Sequence, residues 1–133
     1  MQNKTRVAIY CRVASQNDEM IEHQIMMLRI FARGQGYSNI TIYSDNGYNG
    51  LNFDRPAFTQ MENDIQAGLI GAIVIKDLSR IGRNFIEVTD WLERTRTMEV
   101  VVKSLYDEKM SIPFNDIRYA LYKTYDDCLA LQK

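Results

Sequence analysis

Four short runs of β-branched and aliphatic residues alternate along this chain with three stretches of helical period, and that alternation restricts the fold more than any other feature. The runs are Arg6 to Tyr10, Ile40 to Tyr43, Ala72 to Ile75 and Val100 to Lys103. Between them, Met20 to Ala32 sets Ile21, Ile25, Leu28 and Phe31 on one helical face before Gly34 and Gly36. Ala57 to Ala67 carries Phe58, Met61 and Ile65, opened by Pro56 and closed by Gly68. Phe85 to Thr97 carries Ile86, Trp91 and Leu92. Strands separated by helices predict an α/β fold of three layers, a mainly parallel sheet of four or five strands with helices on both faces. A further amphipathic helix is predicted from Asn115 to Lys133, with Ile117, Leu121, Tyr125, Cys128 and Leu129 near one face.

A chain of 133 residues is long enough for one domain with a real core. With 46% hydrophobic and 25% charged residues it has the profile of a soluble globular protein. No apolar run approaches the roughly 20 residues a membrane span needs. "MQNKTR" leads straight into a strand without the pattern of a signal peptide. Cys11 and Cys128 stand far apart, which fits a reducing cytoplasm better than a disulfide framework. His23 is the single histidine and reads as exposed, so no metal site is expected. A net charge of -1 makes strong nucleic-acid binding by this domain alone unexpected, and any positive surface must be local.

That local surface is legible at the strand ends. "IVIKDLSRIGRNF" (73 to 85) passes from a buried strand to Lys76, Arg80 and Arg83, and "VAIYCRVAS" (7 to 15) ends at Arg12 and Ser15. The loop "SDNGYNGLNFDRP" (44 to 56) delivers Arg55. In a parallel sheet, ligands sit beyond the carboxyl ends of the strands, so these basic residues are expected on one edge. Arginine forks pair with phosphate through two parallel hydrogen bonds. Converging forks suit a phosphodiester and above all its more highly charged transition state. Ser15 is a candidate nucleophile there, although "SQND" before a helix also suits an N-cap. Each arginine taken alone is more simply a solvated surface charge, and it is the four together that point to an anion. Spacing by itself defines a phosphate-binding α/β domain. A small phosphatase-like or nucleotide-binding enzyme is disfavoured, because there is no P-loop, no G-x-G-x-x-G and no Cys-x5-Arg loop.

Three segments resemble the catalytic domain of the serine site-specific recombinases, the resolvase and invertase superfamily. "YCRVAS" is similar to that family's Y-x-R-V-S motif, "DNGYNGLNFDRPAF" to its D-x-G-x-S-G-x4-R-P segment, and "VIKDLSRIGRN" to its strand followed by L-x-R-x-G-R. The "KDLSRIGRN" form and "IPFNDIRYALYKTYDD" resemble most the large recombinases of conjugative and mobilisable transposons and prophages. The resemblance implies a DNA recombinase, a transposon integrase or excisionase. Its serine attacks the scissile phosphodiester, forms a 5′-phosphoserine link and frees a 3′-hydroxyl, and strands are exchanged and rejoined without metal, nucleotide or other cofactor. It implies that Arg12, Arg80 and Arg83 contact the phosphate and that Arg55 lies in a mobile loop. Gln24, with Tyr10, Lys76 and Ser79, is expected to order the site or touch DNA.

The match departs from the family pattern at the serine. Counted from Tyr10 and Arg12, the family serine falls on Ala14; counted nine residues back from Gln24, it falls on Ser15. A bulge at the strand end reconciles the two anchors with Ser15 as nucleophile. The alternative is a catalytically inactive resolvase-like regulatory module. Asn49 replaces a frequent loop serine, and Ser79 replaces the aspartate of small resolvases. The expected domains are a catalytic core over 1–112 and the start of a long interface helix over 113–133, with the family's DNA-binding region not included in the chain. The expected partners are double-stranded DNA at attachment or recombination sites and further copies of the chain, a homodimer and then a synaptic tetramer, with no membrane. The expected location is the bacterial cytoplasm, on the nucleoid when DNA is bound.

Overall fold

The computed structural model describes residues 6–106. Its elements run β1 (Arg6–Val13), α1 (Asp18–Gly34), β2 (Ile40–Asn46), α2 (Pro56–Gln66), β3 (Ile70–Ile75), a 3₁₀ turn (Leu78–Arg80), α3 (Phe85–Thr97) and β4 (Val101–Ser104). All the described strands are parallel, in the order β2-β1-β3-β4. The α/β fold expected from the strand–helix alternation is therefore what forms, with four strands among the described residues. The interface helix expected from Asn115 to Lys133, and the domain boundary at 112, lie outside them.

The period of two along β1 divides the core into halves. Val7, Ile9, Cys11 and Val13 face α1, where they pack with Ile21, Leu28 and Ala32 and with Ala72 and Val74 of β3. Ala8 and Tyr10 face the other way, toward Phe58, Met61 and Ile65 of α2 and Val88 and Trp91 of α3. Helices thus cover both faces. Trp91 is wholly buried, and its indole N–H donates to Glu62 on α2, so the two helices of that layer share a polar tie inside apolar packing.

The helix ends follow local chemistry, with one departure from the sequence reading. Asn17, and not Ser15, caps α1: its side chain accepts from the Met20 N–H at 3.0 Å. Gly36, at φ 90°, takes the left-handed conformation just past the C-cap of α1. Arg55 occupies the N-cap position of α2 but offers no capping side chain. The cap comes instead from Asp45 on β2, whose carboxylate accepts from the Ala57 N–H at 2.9 Å and the Phe58 N–H at 3.0 Å.

Burial also makes stability depend on alkaline pH. Burial pushes the Cys11 thiol up from 9.0 to about 12. Burial, with help from the hydrogen bond to Asp45, pushes the Tyr10 phenol well above its ordinary range. Both groups stay neutral in the folded chain while the unfolded chain releases their protons at ordinary values. The unfolded state then binds fewer protons, and stability falls as pH rises. The contribution of Cys11 is complete below pH 9.0 and is lost as pH climbs toward 12, while that of Tyr10 begins to fall only above its ordinary value of 10.0. Urea midpoints measured across that window should be flat below it and decline through it, and Cys11→Ala should remove the first part of the decline.

Candidate active site

The strand order makes the chain reverse its direction of travel across the sheet between β1 and β3, so the crevice beyond their carboxyl ends is where a ligand is expected. β3 pairs with β1 only as far as Ile9↔Val74, and the chain then turns away into the 3₁₀ segment. This leaves the backbone of Arg12 without a ladder partner on that side. Gln24 fills the place: its Oε1 accepts from the Arg12 N–H at 3.1 Å, and its Nε2 donates to the Arg12 carbonyl at 3.4 Å. The buried amide of α1 thus acts as a short piece of missing strand.

The guanidinium of Arg12 is fully buried and spends its donors on backbone carbonyls. Nε reaches the Arg80 carbonyl at 3.1 Å, Nη1 that of Tyr48 at 3.0 Å, and Nη2 that of Ser79 at 2.6 Å. Arg55, only 1% exposed, does the same. Its Nη1 donates to the Arg80 carbonyl at 2.9 Å and to the Tyr10 hydroxyl at 3.0 Å, and its Nη2 donates to the Ile81 carbonyl. Its carbon centre sits 4.6 Å from the Phe58 ring centroid. The Tyr10 hydroxyl passes the link on by donating to Asp45 at 2.7 Å. One buried chain of contacts therefore joins β1, β2, the α2 N-terminus and the loop after β3. Burial, then the charges of Arg55 and Arg80, lower Arg12 to about 10, which leaves it charged at neutral pH. Burial likewise lowers Arg55, against the opposing pull of Tyr10 and Asp45.

Arg80 and Arg83 differ from this pair. Arg80 keeps 13% of its side chain exposed, donates from Nη1 to the Arg12 carbonyl at 3.2 Å and pairs with Asp77 at 3.9 Å. Arg83 is exposed, while its backbone N–H donates to the Gly50 carbonyl at 2.8 Å. Gly50 is required for this approach, since a Cβ there would lie 2.7 Å from Arg83 Cγ and 3.0 Å from Arg12 Nη2. Ala14 and Ser15 form an exposed bend directly after β1. The β1–β2 register runs unbroken to Val13↔Asn46, so no bulge interrupts that ladder and the chain turns only at Ala14 and Ser15. Lys76 and Arg80 also line a groove on the α1 side with Glu19, Met20, His23, Gln24 and Met27. Ser79 is buried beneath Asp77, and His23 is exposed as expected.

Arg12 and Arg55 were expected to meet a phosphate, and in this structure both are buried against carbonyls. They hold together the two loops that carry Gly50 and Arg83. Asp45 and Asp77 were missed as site residues. Asp45 opens the segment "DNGYNGLNFDRPAF" but was given no role of its own, and nothing local in it signals that its carboxylate reaches a helix twelve residues on. Asp77 did carry a signal, since an aspartate two residues before Ser79 can cap a short turn. Among the described residues there is no cluster of three or more His, Cys, Asp or Glu side chains that could hold a metal ion.

The arginines are gathered beyond β1 and β3 of a parallel α/β sheet. The model of the resolvase N-terminal domain matches residues 7–126, and the chain belongs to that family. It is 25% identical over 104 residues to a Bacillus subtilis (strain 168) protein named "Putative DNA recombinase", covering 75% of this chain and 21% of that one. The chain thus spans about a fifth of the length of that curated relative. The fold is similar to the N-terminal catalytic domain of TP901-1 integrase, with a TM-score of 0.76, 23% identity, and coverage of 96% of this chain and 99% of that one. It is also similar to a resolvase family site-specific recombinase from Streptococcus pneumoniae, with a TM-score of 0.69, 23% identity, and coverage of 96% and 91%. No helix among the described residues is long and apolar enough to cross a membrane.

Proposed function

We propose that this chain is the catalytic domain of a DNA site-specific serine recombinase, of the integrase or excisionase kind carried by transposons and prophages. The observation that carries this reading is the arrangement beyond β1 and β3. Arg80 and Arg83 sit on a loop whose carbonyls are clamped by Arg12 and Arg55, on the sheet edge where the chain bends at Ser15. In this reading Ser15 attacks the scissile phosphorus and displaces the 3′-oxygen, which leaves as the hydroxyl. The 5′-phosphoserine link keeps the phosphodiester energy for rejoining. Arg80 and Arg83 face the phosphate and stabilise charge that grows in the transition state. Tyr10, Gln24, Arg12 and Arg55 order those groups, and Lys76 and Ser79 lie on the same loop.

The domain plan follows the same reading: a catalytic core over 1–112, an interface helix over 113–133, and a separate DNA-binding region elsewhere in the working protein. The partners are double-stranded DNA at recombination sites and further copies of the chain, a dimer and then a tetramer when two sites pair, in the bacterial cytoplasm. The test is to trap the protein on a nicked recombination site and look for a covalent protein–DNA adduct through a 5′-phosphate. Its absence, with DNA binding intact, favours an inactive resolvase-like module. One observation keeps that second reading in play: Ala14 occupies the position counted from Tyr10 and Arg12.

The charge makes a further prediction. The 133 residues carry a net charge of -1, and phosphate contacts dominate affinity for DNA. The chain alone should bind duplex DNA weakly and without sequence preference. A titration at moderate salt showing tight, site-specific binding would contradict the proposed division of labour.

A further inference from the structure

Arg80 is held at one end only. Its Nη1 donates to the Arg12 carbonyl at 3.2 Å, while its Nε is buried without a hydrogen-bond acceptor. Such a donor is costly unless something nearby can take it. The nearest charge is the Asp77 carboxylate, 97% buried, with Oδ2 at 3.9 Å from that Nε. The other oxygen, Oδ1, is already engaged. It accepts from the Ser79 N–H at 3.0 Å and from the Ser79 hydroxyl, which caps the 3₁₀ turn. Asp77 is thus fixed through one oxygen and presents the other to the buried Nε of Arg80.

A capping role explains Oδ1 and leaves Oδ2 unexplained. An asparagine or serine would cap the turn as well. A carboxylate in this buried place adds something a cap does not need, a negative charge close to the guanidiniums of Arg12 and Arg80. Its charge acts on Arg12 too, opposing the lowering by the other two arginines. Ser79 turns its hydroxyl toward Asp77.

We propose that Asp77 is a positioning residue for Arg80, taking its Nε and so turning both Nη groups outward to the two free oxygens of the scissile phosphate. This rests on the recombinase reading above. Closing the gap to a charge-assisted bond of about 2.8 Å needs only a small swing of the side chain. The swing draws Nη1 off the Arg12 carbonyl, which keeps its bond from Gln24. A fork held at Nε is the arrangement in which arginine meets phosphate through both remaining nitrogens.

The experiment measures single-turnover cleavage of a recombination site by the full-length protein, with adduct formation as the readout. Asp77→Asn keeps the cap and removes the charge, and Asp77→Ser is a second uncharged cap should the first fail to fold. Either should slow cleavage at least tenfold while DNA affinity stays within twofold. Asp77→Glu should recover part of the rate. The decisive arm is the double variant with Arg80→Ala, which should cleave no more slowly than Arg80→Ala alone, because Asp77 acts through Arg80. Wild-type rates in Asp77→Asn, or losses that multiply in the double variant, overturn the role while leaving the recombinase reading intact. A wild-type protein that binds DNA and forms no adduct overturns both.

Discussion

Ser15→Ala abolishes the covalent protein–DNA adduct and leaves DNA binding and the fold unchanged; that is the expected result of the adduct test and the largest effect anticipated. The physical argument begins with exposure. Ser15 lies in an exposed bend immediately after β1 and has no structural duty as a helix cap, because Asn17 performs it. Truncating an exposed hydroxyl of this kind costs little stability. Removing a nucleophile removes the covalent step outright. Thermal unfolding and DNA affinity should therefore be indistinguishable from wild type, while no adduct accumulates on a nicked site. A persistent adduct in Ser15→Ala sinks the assignment. Ala14→Ser alone should not restore cleavage to a Ser15→Ala chain if Ser15 is correctly placed; restoration would show that the count from Tyr10 and Arg12 locates the nucleophile.

The second prediction separates the arginines by what they hold. Arg12→Ala strips partners from the carbonyls of Tyr48, Ser79 and Arg80 and leaves a cavity in a fully buried place. Such a loss should cost about 3–5 kcal/mol of stability, seen as a large drop in the urea midpoint. Arg83→Ala touches an exposed side chain and should leave the midpoint nearly unchanged. Its effect should fall on chemistry instead, about a 100-fold slower cleavage, the size expected for one preorganised donor at a developing charge. Arg83→Lys should rescue poorly, since the fork is lost while the charge remains. If cleavage by Arg83→Ala declines only in proportion to DNA binding, Arg83 positions the DNA and has no special hold on the transition state. If Arg12→Ala unfolds no more easily than Arg83→Ala, the carbonyl clamp contributes little to the fold.

Much of this molecule was readable along the chain. The β-branched runs and helical faces are short-range patterns, and burying them leaves a parallel sheet with helices on both sides as the consistent arrangement. The elements formed close to where they were expected, with β1 and β2 each running three residues further, to Val13 and Asn46, because these last stretches pair with each other. The loop arginines and their common edge were also legible, since strands joined by crossover helices end on the same side. Ile21 and Leu28 on α1, and Phe58, Met61 and Ile65 on α2, were identified as core by spacing alone and are buried.

What spacing could not show is which of these polar groups face water. Arg12 and Arg83 look alike in sequence, each an arginine near a strand's end, yet one is buried against three carbonyls and the other is exposed. The difference arises because β3 pairs with β1 only as far as Ile9↔Val74, and Gln24 of α1 and the side chain of Arg80 take the backbone of Arg12 beyond that point. Asp45 shows the same limit. It sits near the end of β2, but its carboxylate caps α2 and receives Tyr10, a partner 35 residues away. Periodicity records which face of an element is apolar, and so the chain alone determined the layers, the sheet and the edge that carries the site. Hydrogen bonds between residues far apart in sequence leave no periodic trace, and so only the tertiary structure decided which arginines are buried against backbone carbonyls and which stay exposed.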